Sequence, residues 1–444
     1  MTTVAELASR LAAGKNSSVE LVTDCLARID DPASEGARTF TAIFADEALA
    51  DAERMDRLRQ GGGAPSPFAG IPVSVKCLFD IEGKVTTAGS KVLADAAPAT
   101  DDAEAIARLR KAGLVVVGHT NMTEFAYSGL GMNPHCGTPG NPADRSRIPG
   151  GSSSGAAVSV ADGMSALGIG TDTGGSCRIP AAFCGVTGYK PTARRIPTGG
   201  TFPLSPTFDS IGSLARSVTC CALADALLAG QTPRLPQPLD VASLKLAVLD
   251  NYVLENLTPR VAAAFDAALA TLSSAGAQLT RITLKDIERL PELNARGGIL
   301  GGEAFAIHRD MLNAHEQDYD PRVAVRLRKA EAMEPGEIAA LRAIRAEMTA
   351  RADAITRPFD AVIMPTVAME APVFADLDAD DGIYGRQNLL ALRNTAVGNF
   401  LDRCAISLPL PVDGLPVGLM LMGETMGDEK LFDVAMTVER VLAM

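Results

Sequence analysis

With 444 residues, 47% of them hydrophobic and 21% charged, the chain can bury a large core, and with 4% aromatic residues and no Trp that core is aliphatic. A formal net charge of −12 with no basic run argues against a phosphate-backbone partner, so no nucleic acid is expected. No apolar run of about 18 residues occurs, and the opening MTTVAELASRLAAGKNSSVE lacks the basic start and apolar centre of a leader, so the expectation is no membrane partner and a cytoplasmic location.

In chain order, residues 3–13 and 18–29 repeat on a helical period, with Ser17-x-x-Glu20 as a capping box for the second, and 45–60 is a third helix closed by Gly61-Gly62-Gly63. Gly70-Ile-Pro-Val-Ser-Val-Lys-Cys-Leu-Phe79 reads as a buried strand with a lysine in its middle. Lys76 is either an edge-strand residue whose stem reaches water or a buried amine. Helix 102–112 precedes the apolar run Leu114-Val-Val-Val-Gly118, typical of a sheet covered on both faces. A short helix and loop, Asn121 to His135, carries groups able to line a pocket, and helix 155–163, a strand near 166–169 and a turn Thr171–Ser176 follow.

Residues 231–240 form the one composition break. A strand 244–249, helix 259–275 and strand 278–284 come next, then a mainly helical section 286–357 punctuated by Pro335. Further strands are expected at 361–365, 405–410 and 417–422, with a closing helix 428–444. The eight cysteines (25, 77, 136, 177, 184, 220, 221 and 404) show no C-x-x-C pair and no metal spacing, so they read as buried apolar residues in a reducing compartment, and neither metal nor cofactor is expected.

The chemistry concentrates between Ile148 and Tyr189, where Ser152 and Ser176 sit in glycine-flanked turns. Gly150-Gly151 and Gly174-Gly175 let the backbone take positive φ and bring several N–H donors to one point, as an oxyanion or a phosphate requires. A P-loop fails because Gly155 is followed by Ala156-Ala157, and a dinucleotide fingerprint fails because Thr173 stands where the last glycine belongs. Donors beside exposed hydroxyls suit acyl transfer. Of the four histidines, 119, 135, 308 and 315, none lies in a catalytic signature and no G-x-S-x-G elbow exists. His135 lies beside the glycine-rich region; the others read as exposed or structural. The base of suitable type is Lys76, because burial in an apolar strand lowers the pKa of an amine.

Gly70 to Lys76, Gly150-Gly151-Ser152-Ser153-Ser154-Gly155 and Gly170-Thr-Asp-Thr-Gly-Gly-Ser-Cys-Arg-Ile-Pro180 resemble the three motifs of the amidase signature family in order, residue type and spacing, with the two serines 24 residues apart. The segments 118–125, 188–192 and 415–420 fit too, so the resemblance spans nearly the whole chain and is weakest across about 230–360. It implies one α/β/α layered domain over 1–444, with a large mixed, twisted β-sheet covered by helices: an N-terminal helical layer 1–65, a signature core 66–230, and the remainder 231–444 with a helical cover over about 286–357.

By the same resemblance Ser176 is the nucleophile, Ser152, preceded by a cis peptide bond, relays its proton, and neutral Lys76 is the base. The backbone N–H groups of Thr173, Gly174, Gly175 and Ser176 form the oxyanion hole, Asp172 and Arg178 brace the turn, and Ala126, Tyr127 and Ser128 line the substrate pocket. Cys177, Ser154 and Ala156 depart from the usual pattern without removing a catalytic group. Cys177 is an alternative nucleophile only if its side chain shares the direction of Ser176. The activity implied is an amidohydrolase of small amides, with esters, anilides or carbamates open to the same route, in a chain compatible with a homodimer. A glutaminase component of a tRNA-dependent amidotransferase and a catalytically silent binding protein are the alternatives.

Overall fold

An eleven-stranded mixed sheet collects strands from both halves of the chain in a computed structural model that describes residues 2–443. The strands are β1 (Phe40–Ile43), β2 (Pro72–Lys76), β3 (Val115–Thr120), β4 (Leu167–Thr171), β5 (Thr187–Lys190), β6 (Ile211–Ala215), β7 (Lys245–Leu249), β8 (Gln278–Ile282), β9 (Ala361–Pro365), β10 (Ala405–Pro409) and β11 (Gly418–Met422). Their order across the sheet is β1-β3-β2-β4-β6-β5-β10-β11-β9-β7-β8. Parallel pairing of β3, β2 and β4, and of β9, β7 and β8, flanks an antiparallel centre. The α/β expectation holds.

The apolar runs explain where the core lies. β2, β3, β4, β9 and β11 are buried along their whole length, which continuous rather than alternating apolar sequence predicts for strands covered on both faces. The helix Ser18–Asp30 begins at the Ser17–Glu20 capping box, and Ala45–Gln60 ends at Gly61, as the residue pattern predicts. The cover comprises Gly298–His315, Pro321–Arg328 and Pro335–Thr356, and Pro335 opens its helix instead of interrupting one, because the missing N–H costs nothing in a first turn. The closing helix runs Asp428–Leu442; Met444, expected to belong to it, lies outside the described residues. No helix of the described residues is long and apolar enough to cross a membrane.

One correction bears on the site. Lys76 is the last residue of β2, not a mid-strand residue, and β2 lies between β3 and β4, not at an edge. An interior strand offers its lysine no path to water along the sheet edge, and the side chain is fully buried.

Candidate active site

β2 and β4 are parallel neighbours, with Val75 opposite Ile169, so Lys76 and Thr171 emerge together at their carboxyl ends, where open α/β sheets form crevices. Lys76 Nζ lies 2.7 Å from Ser152 Oγ and 2.9 Å from Thr171 Oγ1. The residue is 0% exposed, and burial pulls its amine down from 10.5 to about 8 because the charged form loses its hydration. No carboxylate among the described residues pairs with it, so nothing close by restores the cation.

The Gly151–Ser152 peptide is cis. Gly151 N–H donates to the Gly129 carbonyl at 2.8 Å and Thr123 N–H to the Ser152 carbonyl at 3.1 Å, which presses the 121–131 loop onto this turn. The approach needs glycine at both faces: a Cβ on Gly151 would stand 2.6 Å from Gly131 N, and one on Gly131 2.1 Å from the Gly150 carbonyl oxygen. Ser176 comes alongside through Ser153 N–H, which donates to the Ser176 carbonyl at 3.2 Å. The structure thus brings Lys76 and Ser152 into contact and Ser176 beside them, while the Ser176 hydroxyl has no hydrogen-bond partner among the described residues.

The turn after β4 is held from its outer side. Asp172 N–H donates to the Ser210 carbonyl at 2.8 Å, Ser210 Oγ donates to the Asp172 carbonyl at 2.7 Å, and Thr395 Oγ1 donates to the Gly174 carbonyl at 2.7 Å. The backbone N–H groups of Thr173, Gly174, Gly175 and Ser176 donate to none of the described residues. Gly175 has φ +141°, and a Cβ there would stand 2.2 Å from Thr395 Oγ1, so only glycine satisfies both the torsion and the space. Four successive donors left free beside a hydroxyl suit a developing oxyanion.

Asp172 and Arg178 are both fully buried and paired two-fold, Nη2 to Oδ1 at 2.8 Å and Nε to Oδ2 at 3.0 Å. Burial alone would raise the Asp172 carboxyl, but the Arg178 guanidinium and the Asn399 amide, 3.0 Å from Oδ1, outweigh it and hold the acid well below its usual range. Oδ2 also accepts Cys177 N–H at 3.1 Å, so the pair braces the turn immediately after Ser176. The Cys177 thiol is fully buried and pushed up to about 12 by that burial, which keeps it a neutral packing group.

Ala126, Tyr127 and Ser128 lie on the loop pressed against Ser152, in a stretch where Phe125 and Ala126 have φ +49° and +59°. Two consecutive non-glycine residues in the left-handed region persist only where their surroundings hold them. The Ser128 hydroxyl donates to Asn388 Oδ1 at 3.1 Å and accepts from Tyr384 at 2.7 Å, so its donor is committed inside the protein. Tyr127 lies beneath Arg326, whose Cζ is 4.2 Å from the ring centroid and whose Nη1 donates to the Tyr127 carbonyl. Among the described residues no carboxylate pairs with Arg326. His135 turns to the buried Glu124 at 2.9 Å, and Glu124 in turn accepts Asp320 N–H at 2.7 Å, tying loop to cover.

Residue patterns did not point to Thr171, Asp209, Arg326, Thr395 or Asn399. Thr171 sits inside the third motif and was open to notice. The others carry no local signal, since each reaches the site from a segment distant in sequence.

Known proteins resemble the chain along nearly its whole length. A family model described as Amidase matches residues 20–432. The chain is 36% identical to a 2-amino-5-chloromuconic acid deaminase of Comamonas testosteroni, over 99% of this chain and 96% of that one. It is 35% identical to AtzE, a component of the 1-carboxybiuret hydrolase of Pseudomonas sp. (strain ADP), over 94% and 93%. It is 32% identical to the GatA-type component of the glutamyl-tRNA(Gln) amidotransferase of Salinispora tropica, over 99% and 96%. A crystal structure of an amidase superposes with a TM-score of 0.89 at 29% identity, covering 99% of this chain and all of that one.

Proposed function

This chain belongs to the amidase signature family, whose hydrolases act on carbon–nitrogen bonds other than peptide bonds, and from that premise we propose that it cleaves small amide-type bonds with Ser176 as nucleophile, Ser152 as relay and Lys76 as base. The observation that carries the reading is an amine without a counter-ion, buried 2.7 Å from a serine hydroxyl, next to four unclaimed backbone donors. Neutral Lys76 takes the Ser152 proton, Ser152 takes that of Ser176 once the free Ser176 hydroxyl rotates toward it, and Ser176 Oγ attacks the acyl carbon. The oxyanion accepts N–H groups from the Thr173–Ser176 turn, a kind of contact whose loss costs about 10²–10³ in rate. Collapse breaks the carbon–nitrogen bond, the amine leaves with the proton returned from Lys76 through Ser152, and water releases the acyl group by the same route.

The substrate class follows from Arg326. Its guanidinium lies on the candidate pocket loop without a carboxylate of the protein, and a planar fork of donors recognises a carboxylate two-fold. Two relatives are named for acids, a muconic acid and a carboxybiuret, which supports a small amide-type substrate bearing a carboxylate. Labelling with a sulfonyl fluoride followed by peptide mapping tests the site, and a panel of amides, anilides, esters and carbamates with and without a carboxylate tests the class. The label is expected on Ser176 alone, and Arg326→Met is expected to raise KM about tenfold for the acids only; a label elsewhere overturns the assignment.

The full-length similarity to an amidotransferase component favours one second reading, a glutaminase working within an assembly. Glutamine hydrolysis that appears only on adding the other components of such an assembly would select it over the first.

A further inference from the structure

The segment after the third motif, from Leu204 to Asp209, carries a buried carboxylate that the mechanism above leaves unused. Thr173 Oγ1 donates to Asp209 Oδ1 at 2.6 Å. Leu204 N–H and Ser205 N–H each donate to Oδ2 at 3.0 Å. The next residue, Ser210, exchanges the two bonds with Asp172 described above. The same segment is fastened to the cover, because Ser205 Oγ donates to Glu303 Oε2 at 2.5 Å and Thr207 N–H to the same oxygen at 3.1 Å. Arg342 pairs with Glu303 from the helix Pro335–Thr356, and Arg345 of that helix lies over the Phe208 ring at 4.7 Å.

We propose that Asp209 is a positioning residue that sets the geometry of the oxyanion turn by gripping the Thr173 side chain, and that it does so only while ionised. The proposal rests on the oxyanion reading of Thr173 to Ser176 given above. Three donors converge on the two oxygens, so the group must be acceptor-only; a proton on either oxygen sets a donor against a donor and releases one partner. Thr173 is the partner able to let go, since its hydroxyl rotates while the two backbone N–H groups are fixed by the segment. The charged groups that face Asp209 and its segment are the Lys76 amine across the turn, Glu303 on the cover helix, and Arg342 and Arg345 on the next. Burial raises the Asp209 acid from 3.8 to about 6, although Thr173, the two N–H groups and Lys76 pull it down, so release falls inside an accessible pH range.

The test measures kcat and KM from pH 5 to 9 for the wild type, Asp209→Asn and Thr173→Val, with sulfonyl fluoride labelling of Ser176 in each. Below about pH 8 protonation of Lys76 gives the wild type a log kcat/KM profile of slope one, which steepens to slope two below about pH 6 as Asp209 takes a proton. Asp209→Asn is expected to hold slope one throughout and to lower kcat at pH 8 at least tenfold with KM within threefold. Thr173→Val is expected to match that loss, and the double variant to be no worse than either single one, because both remove one contact. A wild-type slope of one down to pH 5, a loss confined to KM, or additive single losses overturns the proposal while Ser176 labelling leaves the site reading standing. A wild type that takes no label at Ser176 removes the site reading and this proposal with it.

Discussion

Lys76 shows how one residue sets opposing demands. Its amine is useful because it is dry, and the same dryness makes it costly: the folded state holds it near 8 where the unfolded chain keeps 10.5. The unfolded state therefore binds more protons between those values, so stability rises with pH across that window and the wild-type penalty is full below about 8. A shift of that size is on the order of 3 kcal/mol. Lys76→Met is expected to abolish amide turnover yet raise the denaturant midpoint at pH 7, with the advantage vanishing toward pH 10.5; retained turnover would mean that another group supplies the base. Asp172 and Arg178 show the opposite logic, a charged pair that is stable because every oxygen and most N–H groups are taken. The residue types at 76, 152, 172, 176 and 178 were legible in the sequence because each lies in a glycine-marked turn or an out-of-place polar position. Asp209 was not, because an aspartate in a Pro-Thr-Phe-Asp segment reads as an ordinary loop residue until Thr173 is seen to reach it.

At the scale of elements, the helix Asp381–Phe400 does most to shape the site without touching it chemically. Asn388, Thr395 and Asn399 fall on one face by helical periodicity, and they engage Ser128, the Gly174 carbonyl and the Asp172–Arg178 pair in turn. Thr395→Val keeps the volume and loses the bond to Gly174, so it is expected to cost about 1 kcal/mol of stability while lowering kcat more than tenfold. Unchanged kcat would show that the turn holds its shape without the helix. Most helix bounds follow the residue pattern within two or three positions, since periodicity and caps are local. The four-residue β1 and β5 were missed for an equally local reason: Phe-Thr-Ala-Ile and Thr-Gly-Tyr-Lys are too short, and the second too rich in glycine and lysine, to announce a strand.

For the whole molecule, the sheet order decides what can fold. β5, at 187–190, pairs with β10, at 405–409, so the core segment carrying both serines borrows a strand from the far end of the chain. We expect a fragment of residues 1–230 to be insoluble or to lack slow-exchanging amides in β5 and β6, because it exposes an unpaired apolar edge. A soluble, cooperatively unfolding fragment would show that 66–230 is a domain of its own.

By itself the sequence determined the turns around Ser152 and Ser176, the apolar runs that become covered strands and the anomaly of Lys76, because glycine torsions, capping and periodicity act between near neighbours. The tertiary structure alone decided that Lys76 ends an interior strand, that its amine faces a serine 76 residues away, and that Asp209, Arg326 and Thr395 attend the same crevice. Those outcomes depend on strand order and helix packing. Both are settled by burying apolar area and pairing backbone groups across the whole sheet, which no local stretch encodes.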